Sequence, residues 1–221
     1  MMHSLPNWAA HLKGPLKSLR ESVASSVIQN PTVGVPSSEG SEAATTTVEL
    51  PLEDYGIHVA RVIDDAAREP TTRAFDNFGA GHAKTVLRLL LRRATKTISV
   101  YAHQLDADVW DATWLRDFLM RSPNGSISIL VENPGVLTDP RSALYEAYDL
   151  LNDQRVSISV VPEDCWAEHV AIMDDWLVRV ETSQVDKTAS VAAGNSDLGR
   201  AARELFATLS PRSQPMSRIS S

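Results

Sequence analysis

Apolar positions are scattered before residue 50 and dense after residue 80, and their spacing changes in a regular order. Ala83, Val86, Leu87, Leu90, Leu91 and Ala94 recur at helical intervals and predict a helix. Thr97 to Tyr101 then alternates polar and apolar residues, the period of a half-buried strand. Val109 to Arg121 returns to helical spacing, with Trp110, Trp114 and Phe118 on one side. Ser126 to Val131 predicts a second strand, Pro140 to Leu151 a third helix with Pro140 near its start, and Val156 to Val161 a third strand. Helices alternating with apolar strands argue for crossover units and a largely parallel sheet.

The rhythm changes after residue 168. His169 to Met173, Leu177 to Glu181 and Ala189 to Ala193 read as short strands, with Asp174-Asp175 in the first turn. A closing helix, Asp197 to Leu209, places Leu198, Ala201, Ala202, Leu205 and Leu209 on its buried side, with Ser196 or Asp197 as cap. The fold class is therefore α/β, a mixed sheet with flanking helices.

Upstream, Trp8, Leu12, Leu16, Leu19, Val23 and Val27 share one helical face, and Lys13, Lys17 and Arg20 lie off it. Residues 1–30 form an amphipathic segment, with Pro15 opening a helix at about its first position. Such a stripe, residues 8–28, packs back on its own domain or docks on a partner protein or a membrane surface. Residues 31–52, with Pro31, Pro36 and Pro51 and a Ser/Glu/Ala/Thr run, read as a flexible linker. Residues 53–74 are a helical lead-in, 75–210 the main domain, and 211–221 a disordered tail.

Composition narrows the functional classes. Twenty-one basic residues against 28 acidic ones give a net charge of −7, which disfavours a broad grip on nucleic acid while leaving room for a local basic patch. Cys165 is the single cysteine, which excludes an intrachain disulfide and a cysteine-based zinc cluster. No apolar run reaches the roughly 18–20 residues of a membrane span, and the Met-Met-His-Ser-Leu-Pro-Asn-Trp start lacks the pattern of a secretory signal. The expected compartment is cytoplasmic, with no cofactor and no metal.

The order of elements resembles a single repeat of the phospholipase D superfamily. Leu87 to Tyr101 is similar to that family's opening helix, basic turn and Ile-x-Val strand, and Val156 to Pro162 to the strand leading to its signature. Glu168 to Asp175 sits where the family places His-x-Lys-x4-Asp, Ala193-Gly194-Asn195 where it places Gly-Ser-x-Asn, and Leu205-Phe206 at its close. The resemblance implies a phosphodiester chemistry with paired histidines, one attacking phosphorus and one protonating the leaving oxygen, a lysine neutralising the phosphate and an aspartate orienting the histidine. A one-repeat chain would need a second copy to supply both histidines, so the resemblance implies a homodimer.

The motif departs from that pattern at defined positions. His169 matches, but Ala171 stands where the lysine belongs, Trp176 where the aspartate belongs with Asp175 one place early, and Asn195 lacks its serine. Losing transition-state charge stabilisation removes several kcal/mol from such a reaction. The expectation is a catalytically inactive, self-associating module acting in binding or assembly, with His169, Asp175 and Asn195 as catalytic remnants. The alternative is a homodimeric phosphodiesterase or nuclease using His169. His103, at a strand's C-terminal end, is the next polar candidate. His82-Ala83-Lys84 repeats His-x-Lys but lies on a predicted helix, and Asp106, Asp108 and Asp111 read as the acidic start of a helix rather than a cation site.

Overall fold

The computed structural model describes residues 51–68, 73–165 and 167–216. The amphipathic segment 1–30, most of the linker 31–52 and the end of the tail lie outside the described residues. The elements run α1 (Leu52–Arg68), β1 (Arg73–Asn77), α2 (Gly79–Arg93), β2 (Thr97–Ala102), α3 (Ala112–Arg121), β3 (Ser126–Val131), β4 (Val156–Val160), β5 (Val170–Met173), β6 (Leu177–Ser183), β7 (Thr188–Ala193), α4 (Asp197–Leu209) and β8 (Gln214–Pro215).

All eight strands form one sheet in the order β1-β7-β6-β5-β2-β3-β4-β8. Parallel pairing is confined to β2–β3 and β3–β4; β5 joins β2 antiparallel, and β6, β7 and β1 continue antiparallel. The sheet is mixed and less parallel than the helix–strand alternation alone implies. Strands with period-two burial serve two cores. Ile98 and Val100 of β2 and Met173 of β5 face α1, α2 and α3, whereas Tyr101, Val170 and Ile172 face α4. Val86, Leu87 and Leu90 of α2 are fully buried, each stabilising the fold by about 1.5–3 kcal/mol through loss of apolar surface from water.

Element ends follow local chemistry. The Asp111 carboxylate accepts from the Thr113 amide at 2.9 Å, so α3 starts at Ala112 rather than at Val109. Ser196 caps α4 through the Gly199 amide, 2.9 Å away. The segment Pro140 to Leu151, read as a helix, is a run of turns closing in a short 3-10 stretch at Tyr148–Asn152. Its backbone is claimed elsewhere: the Ala107 amide donates to Arg141 O at 2.8 Å, and the Ala143 amide donates to Leu105 O at 2.6 Å. The remaining bonds join residues three apart, as from Tyr145 to Ser142 and Ala147 to Leu144, which buries Leu144, Ala147 and Leu150 at helix-like spacing without a helix.

Two strands have no counterpart in the sequence reading. β1 pairs with β7, and β8 pairs with the outer side of β4. The lead-in helix α1 packs on α2, and its Tyr55, Val59, Ile63 and Ala66 join the larger core. No helix among the described residues is long and apolar enough to cross a membrane.

Candidate functional site

The β5–β6 hairpin places the site. Its turn holds Asp174 and Asp175 at φ of 52° and 62°, a left-handed conformation that asparagine and aspartate tolerate better than most residues. The Asp174 carboxylate receives the Thr95, Lys96 and Thr97 amides at 2.6, 2.7 and 2.8 Å and the Thr95 hydroxyl at 2.8 Å. Burial works to raise its pKa, yet these donors outweigh burial and hold it below the ordinary 3.8. The hairpin is thereby tied to the turn between α2 and β2. Its register sets Ala171 opposite Arg179, and two residues further the Glu181 amide donates to His169 O at 2.9 Å.

His169 is buried, and both ring nitrogens are engaged. Nδ1 lies 2.9 Å from Glu181 Oε2; Nε2 lies 3.5 Å from Glu132 Oε1 and 3.1 Å from Gln184 Nε2. Glu132, just beyond the end of β3, also receives the Tyr101 hydroxyl at 2.5 Å and pairs with His103 Nδ1 at 3.1 Å. The Tyr101 hydroxyl in turn accepts from the Ala167 amide at 2.8 Å, and the Tyr101 ring meets the His169 ring edge-on with centroids 5.6 Å apart. Arg179 donates to Asn77 Oδ1 at 3.1 Å and reaches Glu181 at 3.5 Å.

Burial alone would lower the His169 pKa, but hydrogen bonds to Glu132 and Glu181 and their negative charge outweigh it and raise the pKa above 6.5. Burial likewise works to raise both glutamates; hydrogen bonds from His169, with those from Tyr101 and His103 at Glu132 and the Arg179 charge at Glu181, bring them below 4.5. The inner cluster sets a histidine of raised pKa and a guanidinium against two carboxylates of lowered pKa, a buried network of compensating charge. Burial, followed by the bond to Glu132, raises the Tyr101 pKa far above its usual value, so its hydroxyl remains a donor.

A cavity of about 220 Å³ opens above this cluster. Val100, Ala102 and Ala171 form apolar wall, Trp110 a side, and Gln184, Val185 and Lys187 of the β6–β7 hairpin the rim. Lys187 Nζ and Asp106 Oδ2 close one edge as an ion pair at 2.9 Å. No group of His, Cys, Asp and Glu among the described residues is arranged to hold a metal ion.

Of the sequence candidates, His169 and His103 meet at this cavity through Glu132. Asp175 and Asn195 do not. Asp175 lies in the turn beyond the far end of β5, where its carbonyl accepts from Arg203, and Asn195 follows β7 beside the Gly194 amide that donates to Trp176 O. The side chains that do surround His169 are Glu132, Glu181, Gln184 and Tyr101. One signal for Glu181 was present in the sequence: reflecting the hairpin about Asp175 sets position 181 opposite 169, and 179 opposite 171. His82 lies on α2 and stacks on Tyr55 with ring centroids 4.0 Å apart, away from the cavity.

Among the described residues a mixed sheet carries three helices on one face and one on the other, with a histidine just ahead of a central strand, an arrangement similar to that of phospholipase D-like proteins. Solved structures bear this out. Nuc from Salmonella typhimurium, a phospholipase D family member, matches with a TM-score of 0.50 at 12% identity, over 66% of this chain and 99% of that one. NucT from Helicobacter pylori matches with a TM-score of 0.51 at 9% identity, over 66% of this chain and all (100%) of that one. TrmBL2, an archaeal chromatin protein whose structure shows a novel mode of DNA binding, matches with a TM-score of 0.53 at 13% identity, over 75% of this chain and 64% of that one. No family model and no curated protein matches the chain. At these identities the shared property is the fold.

Proposed function

We propose that this chain is a non-catalytic module of phospholipase D-like fold that acts in binding or assembly and associates with a second copy of itself. The observation that carries the first part is the environment of His169 Nε2. An attacking imidazole needs a neutral nitrogen open to phosphorus. Here Nε2 is enclosed by Glu132 at 3.5 Å and Gln184 Nε2 at 3.1 Å, so it is not open to phosphorus. Two buried carboxylates also stand where an incoming phosphate would bring further negative charge, and Ala171 supplies no cation to meet it. Self-association is supported by the single-repeat order of parts, which gives each copy one His169, and Val185, 90% exposed at the rim of the His169 cavity, lies on the face two copies would share.

One observation favours a second reading, a homodimeric phosphodiesterase using His169. Arg179 sits directly across from Ala171 and lines the same cavity, so a cation reaches the position by way of the neighbouring strand.

The two readings part in a single experiment. Purified protein is incubated with single- and double-stranded DNA and with a chromogenic phosphodiester. No turnover beyond that of His169→Ala is the expected result. Hydrolysis by the wild type that His169→Ala abolishes overturns the non-catalytic reading.

A further inference from the structure

The outer faces of α1, α2 and α3 meet in a groove that shares no lining residue with the His169 cavity. Lys84, Arg88 and Arg92 recur every fourth residue along α2 and form one exposed row about 12 Å long. Arg121 of α3 continues it, held in place by donating to the carbonyls of Leu91 and Arg92. Lys84, Arg88 and Arg92 form no ion pair among the described residues, whereas neighbouring Arg93 is paired with Asp64. This concentration of positive charge occurs on a chain of net charge −7.

Beside the row the surface is apolar. Leu52, Ile57 and Met120 are 50, 57 and 73% exposed, half of the six large hydrophobic side chains that stand exposed among the described residues. They border two adjoining hollows that share Arg88 and Trp114. Arginine and tryptophan at the centre of an apolar surface, with charge at its margin, is the composition of protein-binding hot spots.

We infer that this groove docks an acidic amphipathic helix of a partner protein, its apolar stripe against Leu52, Ile57, Trp114 and Met120 and its carboxylates, spaced four residues apart, against the Lys84–Arg88–Arg92 row. This surface goes beyond the reading of the His169 site and does not depend on it. Charge selects the occupant. The chain's own stripe at residues 8–28 is flanked by Lys13, Lys17 and Arg20, so it would set like charges together. A second copy related by a two-fold axis would oppose one basic row to another. A phosphate backbone carries no apolar stripe to cover the exposed Ile57 and Met120 beside the basic row.

The test uses the full chain and a fluorescein-labelled helical peptide of about 18 residues, with a leucine stripe and glutamates spaced four apart, followed by anisotropy. A second peptide carries lysine for every glutamate. The glutamate peptide is expected to bind and to weaken in about 0.3 M salt. Arg88→Gln/Arg92→Gln weakens it, and Arg88→Glu/Arg92→Glu weakens it at least about tenfold while improving the lysine peptide, a swap that a misfolded variant cannot produce. Equal binding of both peptides by the wild type, or no loss in either double variant, overturns the inference. So does saturable binding of a single-stranded oligonucleotide lost in the same variants while the glutamate peptide fails to bind. Stronger peptide binding by Leu12→Ser/Leu16→Ser/Leu19→Ser assigns the groove to the chain's own segment, and self-association lost in Arg88→Glu/Arg92→Glu assigns it to a second copy; either result overturns it.

Discussion

His169 and its two carboxylates make a buried charge network whose strength depends on pH. The His169 pKa is raised above 6.5 in the fold, so its contribution to stability is complete below 6.5 and is lost as pH climbs through the folded value. Glu132 and Glu181 are lowered below 4.5, so theirs is present above 4.5 and is lost as pH falls through the folded values. Thermal unfolding followed upward from about pH 6 is expected to show an alkaline decline in the wild type that His169→Gln lacks; parallel curves would show that His169 does not set this pH dependence. Glu181→Gln takes the counter-charge from both His169 and Arg179, which are buried at 7 and 5% exposure. Breaking such a pair from one side costs about 3 kcal/mol, measurable as a shift of the urea midpoint. Legibility at this scale was partial. His169 stood out by its motif and His103 by its strand end; Glu132 directly follows the predicted strand Ser126–Val131 and carries the same strand-end signal, but only the parallel β2–β3 pairing shows it to be their shared partner.

At the scale of the element, the β5–β6 hairpin decides which residues surround His169. Asp174 anchors its turn through four hydrogen bonds to Thr95, Lys96 and Thr97. Asp174→Ala removes these acceptors and leaves a bulkier-than-glycine residue at positive φ, for an expected loss of about 2 kcal/mol in chemical denaturation. Asp175→Ala, one position along and also at positive φ, is expected to cost far less, because the Asp175 link to Arg203 is through its backbone carbonyl. Similar losses for the two would contradict the anchoring role. The strands β2 to β7 were legible because each is a short apolar run bounded by turn residues. The Pro140–Leu151 segment was not, because successive three-residue turns bury side chains at nearly the period of a helix.

For the whole molecule, one sheet with helices on both faces buries two cores, and the phospholipase D-like order of parts follows from it. The proposed association of two copies predicts sedimentation at twice the chain mass at micromolar concentration, with Val185→Asp at the cavity rim returning the protein to monomer. A compact wild-type monomer at that concentration would count against self-association. β1 and β8 escaped the sequence reading because each is short and depends on a partner distant in the chain, Ala189–Ala193 for β1 and Ser159–Val160 for β8.

The sequence by itself determined what depends on neighbours in the chain: the period of the central strands, the cap of α4, the Asp174-Asp175 turn, and the substitution of alanine for a cation at position 171. Tertiary structure decided what depends on residues brought together from afar. Hydrogen bonds across strands, not proximity in the chain, put Glu132 and Glu181 on His169 and separated it from Asp175 and Asn195. The antiparallel register brought Arg179 opposite Ala171. Local spacing carries information about periodicity and turn chemistry, whereas the charge state of a buried histidine is set by whichever groups the folded sheet places within a few ångströms of it.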